Sequence, residues 1–169
     1  MLQNGRDDII IDGSAAGNLR ANAKGVDLNR VWDAPGDDAP EIKAAVDAIA
    51  QTGVDYFIDM HGDETRPFIW IIMSPNFGGV ASVDATQEGL VNFLGEQFAE
   101  LQPPPKEILE GTSSAAGMSI NYISKTYGAP GWIVELPFKE TPVGDTLLAE
   151  GCMKFGRACV DGLVDIMND

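Results

Sequence analysis

Three short apolar runs, at residues 54–60, 67–73 and 132–136, alternate with longer segments of helical character. The last two runs are almost continuously apolar, which is typical of strands covered on both faces, and we expect residues 67–73 to form a central strand. Strands that alternate with helices favour layers of helices packed on a largely parallel sheet. We therefore predict an α/β fold, with a mostly parallel or mixed sheet flanked by helices, in a single domain over residues 1–169.

Helix signals lie between these runs. Asp38 is the predicted N-cap of a helix that ends at Gly53. Residues 1–37 are rich in Gly, Asn and Asp, and we expect mostly loop there, with one short strand at 9–11. Three further helices are predicted, at residues 84–101, 119–125 and 143–167.

The two cysteines, Cys152 and Cys159, lie seven residues apart in the last predicted helix. They share a side of that helix, but two turns, roughly 10 Å, separate them. This distance is too long for a disulfide. We predict that both are core residues of a protein in a reducing compartment.

The chain has 26 acidic and 11 basic residues, and its net charge of −15 makes nucleic acid and anionic membranes poor partners. No apolar run approaches the roughly 20 residues of a membrane-spanning helix. Polar residues from Asn4 to Asp8 interrupt the start, unlike the apolar core of a signal peptide. These features predict a cytoplasmic protein.

His61 is the one histidine of the chain, and it follows the first apolar run within Asp-Met-His-Gly-Asp-Glu. Ligand sites in open α/β sheets gather at the carboxyl ends of strands. Asp59, two residues earlier, is placed to orient the imidazole. A structural role for His61, with Asp63 and Glu64 in a solvated loop, is the alternative.

Glu135 lies inside the apolar run Trp-Ile-Val-Glu-Leu-Pro-Phe. A buried carboxylate is costly unless it is paired or neutralised. Such an environment suits a general base, although a carboxylate at a strand end that meets water would fit the pattern equally well.

Residues 17–30 contain two arginines and three asparagines without apolar periodicity. A guanidinium binds a carboxylate through two parallel hydrogen bonds, so Arg20 and Arg30 are candidates for binding an anionic substrate. Surface arginines without a ligand are the alternative.

Arg20, then Gly-Val-Asp-Leu-Asn-Arg-Val-Trp, then Asp-Met-His-Gly-Asp-Glu, then Val-Glu-Leu-Pro-Phe-Lys follow one another in this order. This ordered set resembles the M14 zinc carboxypeptidases, and most closely their cytosolic carboxypeptidase-like group with its bacterial members. The resemblance runs from about residue 13 to 138 and through the closing helix.

The resemblance implies a hydrolase that removes C-terminal residues from peptides by means of zinc. It implies that His61 is a zinc ligand, that Glu135 is the general base, and that Arg20 polarises the scissile carbonyl. Asn29 and Arg30 match the pair that holds the substrate's terminal carboxylate. Ile120 falls near the position of the specificity pocket.

The sequence departs from the family in its metal ligands. The family's His-x-x-Glu motif, which stands before the arginine segment, is absent, and no second histidine replaces it. Catalytic zinc normally has three protein ligands. We therefore expect a carboxypeptidase-like domain without its N-terminal part, which binds zinc weakly or not at all and is inactive alone. Additional ligands would have to come from Asp59, Asp63, Glu64 or a partner chain.

Two other functions fit the same residues. One is an N-acyl amino acid deacylase of the aspartoacylase or succinylglutamate-desuccinylase type, and the other is a non-catalytic module that binds a carboxylate or peptide. A partial domain also exposes a sheet edge, so we expect a homo-oligomer, most simply a two-fold dimer.

Overall fold

The computed structural model describes residues 21–63, 65–74, 84–106, 108, 115–137 and 149–168. Arg20 and the predicted strand at 9–11 lie outside these described residues.

The described strands form one mixed sheet, which confirms the predicted α/β class. They are β1 (Phe57–Asp63), β2 (Trp70–Met73) and β3 (Gly131–Pro137), in the order β1-β3-β2. β1 runs parallel to β3, and β2 runs antiparallel to it. The central strand of the three is therefore β3. β2, from the run at 67–73 that was expected to be central, lies at an edge of the described sheet.

The first strand begins and ends three residues later than the predicted 54–60. Its parallel pairing with β3 continues in register from Phe57↔Gly131 to Asp63↔Pro137. The backbone ladder therefore extends past the apolar residues, and His61 lies within β1 instead of beyond its end. The apolar pattern misplaced this boundary because backbone pairing does not require apolar side chains.

The described α-helices are α1 (Pro40–Thr52), α2 (Asp84–Gln97), α3 (Ser119–Tyr127) and α4 (Ala149–Asn168). The predicted cap of α1 was wrong, because its N-cap is Ala39 and no side chain caps it. Asp38 lies one residue earlier, where its backbone carbonyl accepts a hydrogen bond of 2.7 Å from Asn22 Nδ2. Gly53 ends α1, as predicted, with a positive φ of 74° that favours glycine.

Both faces of the sheet are covered. Trp132 and Val134 of β3 face a core that includes Leu90 of α2 and Phe155 of α4. Ile133, between them, packs in a second core with residues that lead into α3. This alternation along β3 is the period-2 pattern of a strand between two layers. Among the described residues, no helix is both long enough and apolar enough to cross a membrane.

The edge of β1 that faces away from β3 pairs with no strand among the described ranges. Met60, on β1, is 46% exposed, which is high for a large apolar side chain in a strand. This edge is where the predicted association of chains would occur, and the oligomeric state stays a prediction.

The two cysteines have different environments, which corrects the prediction that both are core residues. Cys159 is buried and Cys152 is exposed. The described side chains of α4 that precede Phe155 are all exposed or half-buried, so the first turn of the helix extends beyond the core. Burial raises the pKa of the Cys159 thiol to about 11.

We predict that the Cys152 thiol of the native protein reacts with a thiol-specific disulfide reagent and that the Cys159 thiol reacts only in denaturant. The thiolate is the reactive form, and burial of Cys159 disfavours it. The Cys152→Ser variant should show almost no native reaction. A rapid native reaction of that variant would contradict the burial of Cys159.

Candidate functional site

His61 and Glu135 lie side by side on the sheet. They are register partners in the parallel pair β1–β3, so both side chains point to the same face. His61 Nδ1 lies 3.6 Å from Glu135 Oε1, and the two side chains are 25% and 15% exposed. The sheet thus places an imidazole and a carboxylate together near the carboxyl ends of two adjacent strands.

Asp59 holds the other nitrogen of the imidazole. It precedes His61 by two residues on β1, so it shares the same face, and its Oδ2 lies 3.1 Å from His61 Nε2. The contact expected from the sequence is present. A carboxylate is an acceptor, so the two ring nitrogens of His61 each face an acceptor, Asp59 at Nε2 and Glu135 at Nδ1.

His61 and Asp59 shift each other's pKa. Burial lowers the pKa of His61, but the hydrogen bond to Asp59 and the charges of Asp59 and Glu135 outweigh it, and the net shift is upward. Burial raises the pKa of Asp59, but the hydrogen bond and charge of His61 and the Ser119 hydroxyl lower it overall. The contact between His61 and Asp59 therefore favours the charged form of both side chains.

Asn29, in the loop after residue 20, contacts His61. It lies in a short 3-10 turn, Leu28–Arg30, which is capped by a hydrogen bond from Asn29 N to Asp27 Oδ1. Asn29 is 8% exposed, and its Nδ2 lies 3.3 Å from His61 Nε2. Its Oδ1 accepts a 2.8 Å hydrogen bond from the backbone N–H of Ser119, which fixes the orientation of the amide.

Arg30 lies next to Asn29 but is exposed at the surface. Its NH1 donates a 2.7 Å hydrogen bond to the Asn29 carbonyl, which holds the guanidinium against its own loop. The structure therefore brings Asn29, Arg30, His61 and Glu135 into one region.

A close backbone approach holds this loop in place. Trp32 N donates a 3.0 Å hydrogen bond to the carbonyl of Gly117. A Cβ atom at Gly117 would lie 2.0 Å from the Arg30 carbonyl oxygen. Glycine at position 117 thus permits the contact between the loop and the segment before α3.

Of the two remaining predicted site residues, one lies outside the described part of the chain and the other is buried in the core. Arg20 lies outside the described residues. Ile120 has no exposed surface and packs with Trp70, Met118 and Ile133 in the core, so its contacts do not support a role in contacting substrate.

Asp63 is a residue whose role the sequence did not reveal. It is the last residue of β1 and is 6% exposed, whereas the pattern allowed a solvated loop. It accepts hydrogen bonds from Thr65, from Arg66 and, at 2.9 Å, from Trp70 Nε1. Because Trp70 is the register partner of Glu135, Asp63 braces the strand beside the site. Asp-x-Thr after a strand is a known turn signal that indicates such a cap.

The described residues do not contain a complete metal site. No group of three or more His, Cys, Asp and Glu side chains is arranged to hold an ion within the part of the chain that the structure describes. His61 with its neighbouring carboxylates therefore does not satisfy the three-ligand requirement of catalytic zinc.

Solved structures of similar fold include bacterial metallo-carboxypeptidases. The chain is similar to a metallo-carboxypeptidase from Burkholderia cenocepacia, with 30% identity and a TM-score of 0.78, over 93% of this chain and 43% of that one. It is also similar to a metallo-carboxypeptidase from Pseudomonas aeruginosa, with 25% identity and a TM-score of 0.77, over 90% of this chain and 42% of that one.

Among curated proteins, the chain is 31% identical over 135 residues to an uncharacterised protein of Zymomonas mobilis, which covers 76% of this chain and 35% of that protein. No family model matches the sequence. The chain spans less than half the length of each of these three proteins.

We predict that Asp63 stabilises the fold in a pH-dependent way. Burial raises its pKa, but the surrounding donors outweigh this and lower it from 3.8 to about 2. The stabilisation is therefore complete above about pH 4 and is lost as the pH falls toward 2. At roughly 1.4 kcal/mol per pKa unit, the Asp63→Asn variant should lose about 2 kcal/mol of unfolding free energy at neutral pH.

Urea denaturation at several pH values measures this difference, which should shrink as the solution becomes acidic. The Asp55→Asn variant removes an exposed carboxylate just before β1 and is the matched control. It should change stability by less than about 0.5 kcal/mol. An equal, pH-independent loss in both variants would contradict the role of Asp63.

Proposed function

We propose that this chain, which has the fold of the bacterial metallo-carboxypeptidases over the part it covers, recognises peptides at their free C-terminus and takes part in removing the last residue. One observation supports this most directly: the imidazole of His61 lies against the Glu135 carboxylate at 3.6 Å. The Asn29–Arg30 segment lies beside the same imidazole. The proposed proton acceptor and the proposed carboxylate-binding segment therefore lie in one region.

The exposed guanidinium of Arg30 is the group proposed to bind the terminal carboxylate. Its exposure leaves the outer N–H groups accessible to a ligand, while the contact with the Asn29 carbonyl limits its motion. A planar guanidinium pairs with a carboxylate through two parallel hydrogen bonds. Binding there would place the last peptide bond toward His61 and Glu135.

Glu135 is the proposed general base. Its carboxylate is 15% exposed, so a water molecule can reach it while most of it stays within the protein. In peptide hydrolysis, Glu135 Oε1 would accept a proton from the attacking water and pass it to the leaving amine. By family resemblance, Arg20 would stabilise the negative charge that develops on the carbonyl oxygen.

The names of the structural neighbours imply a metal ion, which in this family would be zinc. Bound zinc would activate water and polarise the carbonyl. Within this chain His61 is the single histidine, and the described residues do not complete a site, so we derive no step through the metal. We propose that the 169-residue chain alone has no hydrolytic activity and that any activity requires ligands from outside it.

The carboxylate site can be tested with a known ligand of a neighbour. The Pseudomonas aeruginosa enzyme was solved in complex with (2-guanidinoethylmercapto)succinic acid, a compound that carries carboxylates. We predict that this compound binds the present chain and that Arg30→Ala weakens binding about tenfold or more, since a charge-assisted pair is lost. Calorimetric titration measures the effect.

Arg157→Ala is the matched control, because Arg157 is an exposed arginine on α4 and its loss changes the net charge equally. This variant should bind like the unaltered protein. Equal weakening by both substitutions would mean that the ligand responds to overall charge and would refute the site at Arg30. An N-acyl amino acid that displaces the compound more strongly than a peptide would favour the deacylase alternative.

A second candidate function, a carboxylate-binding module without catalysis, is favoured by the incomplete ligand set in the described residues. The two functions differ in metal binding. We predict that purified protein retains much less than one equivalent of zinc after dialysis against a mild chelator, because one histidine provides too few ligands. Elemental analysis, with His61→Ala as the baseline, measures this, and stoichiometric zinc would contradict it.

A further inference from the structure

The outer face of α4 is apolar, although it points away from the core. Four large apolar side chains of this helix are each more than half exposed: Met153, Val160, Val164 and Met167. At 100° per residue, these four positions fall within about 60° of one another around the helix axis, so they form one stripe. Among the described residues, Met60 on β1 is the other large apolar side chain that is exposed.

The inner face of α4 packs on the sheet. Phe155, Ala158 and Cys159 are buried in the core that includes Trp132 and Val134. A helix that covers a core normally has a polar outer face. Valine is also a poor helix former at an exposed position. Neither helix propensity nor packing among the described residues therefore accounts for the stripe, whereas burial against a second surface does.

The stripe is symmetric about Val160. Met153 and Met167 lie seven residues before and after it, and Gly156 and Val164 lie four residues before and after it. If two copies of α4 run antiparallel about a two-fold axis at Val160, Met153 of each lies against Met167 of the other, and Val164 lies against Gly156. A Cβ atom at Gly156 would have no contact within 4 Å outside its own helix backbone, so a side chain from a second copy has room there.

The charges beside the stripe favour the antiparallel direction. Arg157 and Asp161 flank it on the same side, both are exposed, and neither forms an ion pair within the described part of the chain. With the two-fold axis at Val160, Arg157 of one copy is offset by about 3 Å along the helix axis from Asp161 of the other. The axis repeats this contact, which gives two pairs of opposite charge. Parallel helices would instead place each charge level with its own copy.

The net charge of the chain opposes association weakly at this helix. α4 contributes two basic and three acidic residues to a chain whose net charge is −15. At physiological ionic strength, exposed charges more than about 8 Å apart are largely screened. A second copy can therefore approach the stripe with little local repulsion.

We propose that the outer face of α4 is a self-association surface, on which a second copy of this chain packs its own α4 antiparallel about a two-fold axis at Val160. A contact one helix wide and roughly 30 Å long is small for a protein interface, so we expect a weak dimer with a dissociation constant of about 10–100 µM. Val134 faces α4, and Glu135 follows it on the opposite face of the sheet. The dimer therefore leaves the proposed site open, and this proposal does not depend on the proposed function.

Substitution at the axis tests the surface. Sedimentation velocity of the unaltered chain at concentrations from about 5 to 300 µM should show a dimer that forms reversibly. Val160→Lys and Val160→Glu should each lower the association constant about tenfold or more, because the axis brings two like charges together. A mixture of the two variants should recover association, because opposite charges then meet across the axis. Two variants that stay monomeric when mixed would refute the axis at Val160.

Met60→Lys is the matched control, because it makes the same kind of change at the exposed apolar residue of β1. It should associate like the unaltered chain. Loss of association in Met60→Lys, with none in Val160→Lys, would place the contact at the edge of β1 and overturn the proposal. An unaltered chain that is monomeric over the whole concentration range would also overturn it.

Charge reversal tests the direction of the helices. Arg157→Glu and Asp161→Arg should each weaken association about threefold to tenfold, since each places like charges together at both ends of the axis. If repulsion between whole chains decided association, Asp161→Arg would strengthen it, because that change makes the chain less negative. The double variant keeps the net charge and reverses both members of each pair, so it should associate like the unaltered chain.

A double variant weakened by the combined effect of the two single changes would refute the antiparallel pairing. Circular dichroism of every variant establishes that α4 and the rest of the chain are folded, so that a loss of association is attributed to the surface.

Discussion

The parallel pairing of β1 with β3 is the constraint on which the site depends. Strand side chains alternate between faces, so a slip of one residue in this register would move Glu135 to the opposite face from His61. The register is secured by the apolar half of β3, where Trp132, Ile133 and Val134 are each no more than 1% exposed. Packing on both faces of the sheet thus aligns two polar residues that contribute little to the core.

The second constraint is the contact between the loop that contains Asn29 and the first residue of α3, Ser119. A buried amide is tolerated when its hydrogen bonds are made, and Asn29 has both its oxygen and its nitrogen in contact with protein partners. The absence of a side chain at Gly117 lets the backbones meet. Because the same contact satisfies a helix N–H, stability of α3 and placement of the loop are coupled.

The sequence predicted the presence of helices and strands better than it predicted their first and last residues. The α/β class, the helix that Gly53 ends and the central burial of residues 132–136 follow from local apolar patterns that reflect real burial. The predictions for the end of β1, the cap of α1 and the burial of Cys152 were wrong because each depends on how the elements pack together. Pairing with β3 extends β1, Asn22 binds the carbonyl of Asp38, and the first turn of α4 extends beyond the core.

For the site, the sequence by itself determined which residue types were present and in what order: one histidine, a carboxylate in an apolar strand, and an Asn-Arg pair in a polar loop. Their ordered match to a known family connected them before any distance was known. The tertiary structure decided what each one touches. The hydrogen bonds that join Ser119 to Asp59 and to Asn29 span 60 and 90 positions, which residue patterns do not encode because such contacts depend on strand register and helix placement. Local periodicity reports burial, whereas the direction of a polar side chain is set by the packing of the whole domain.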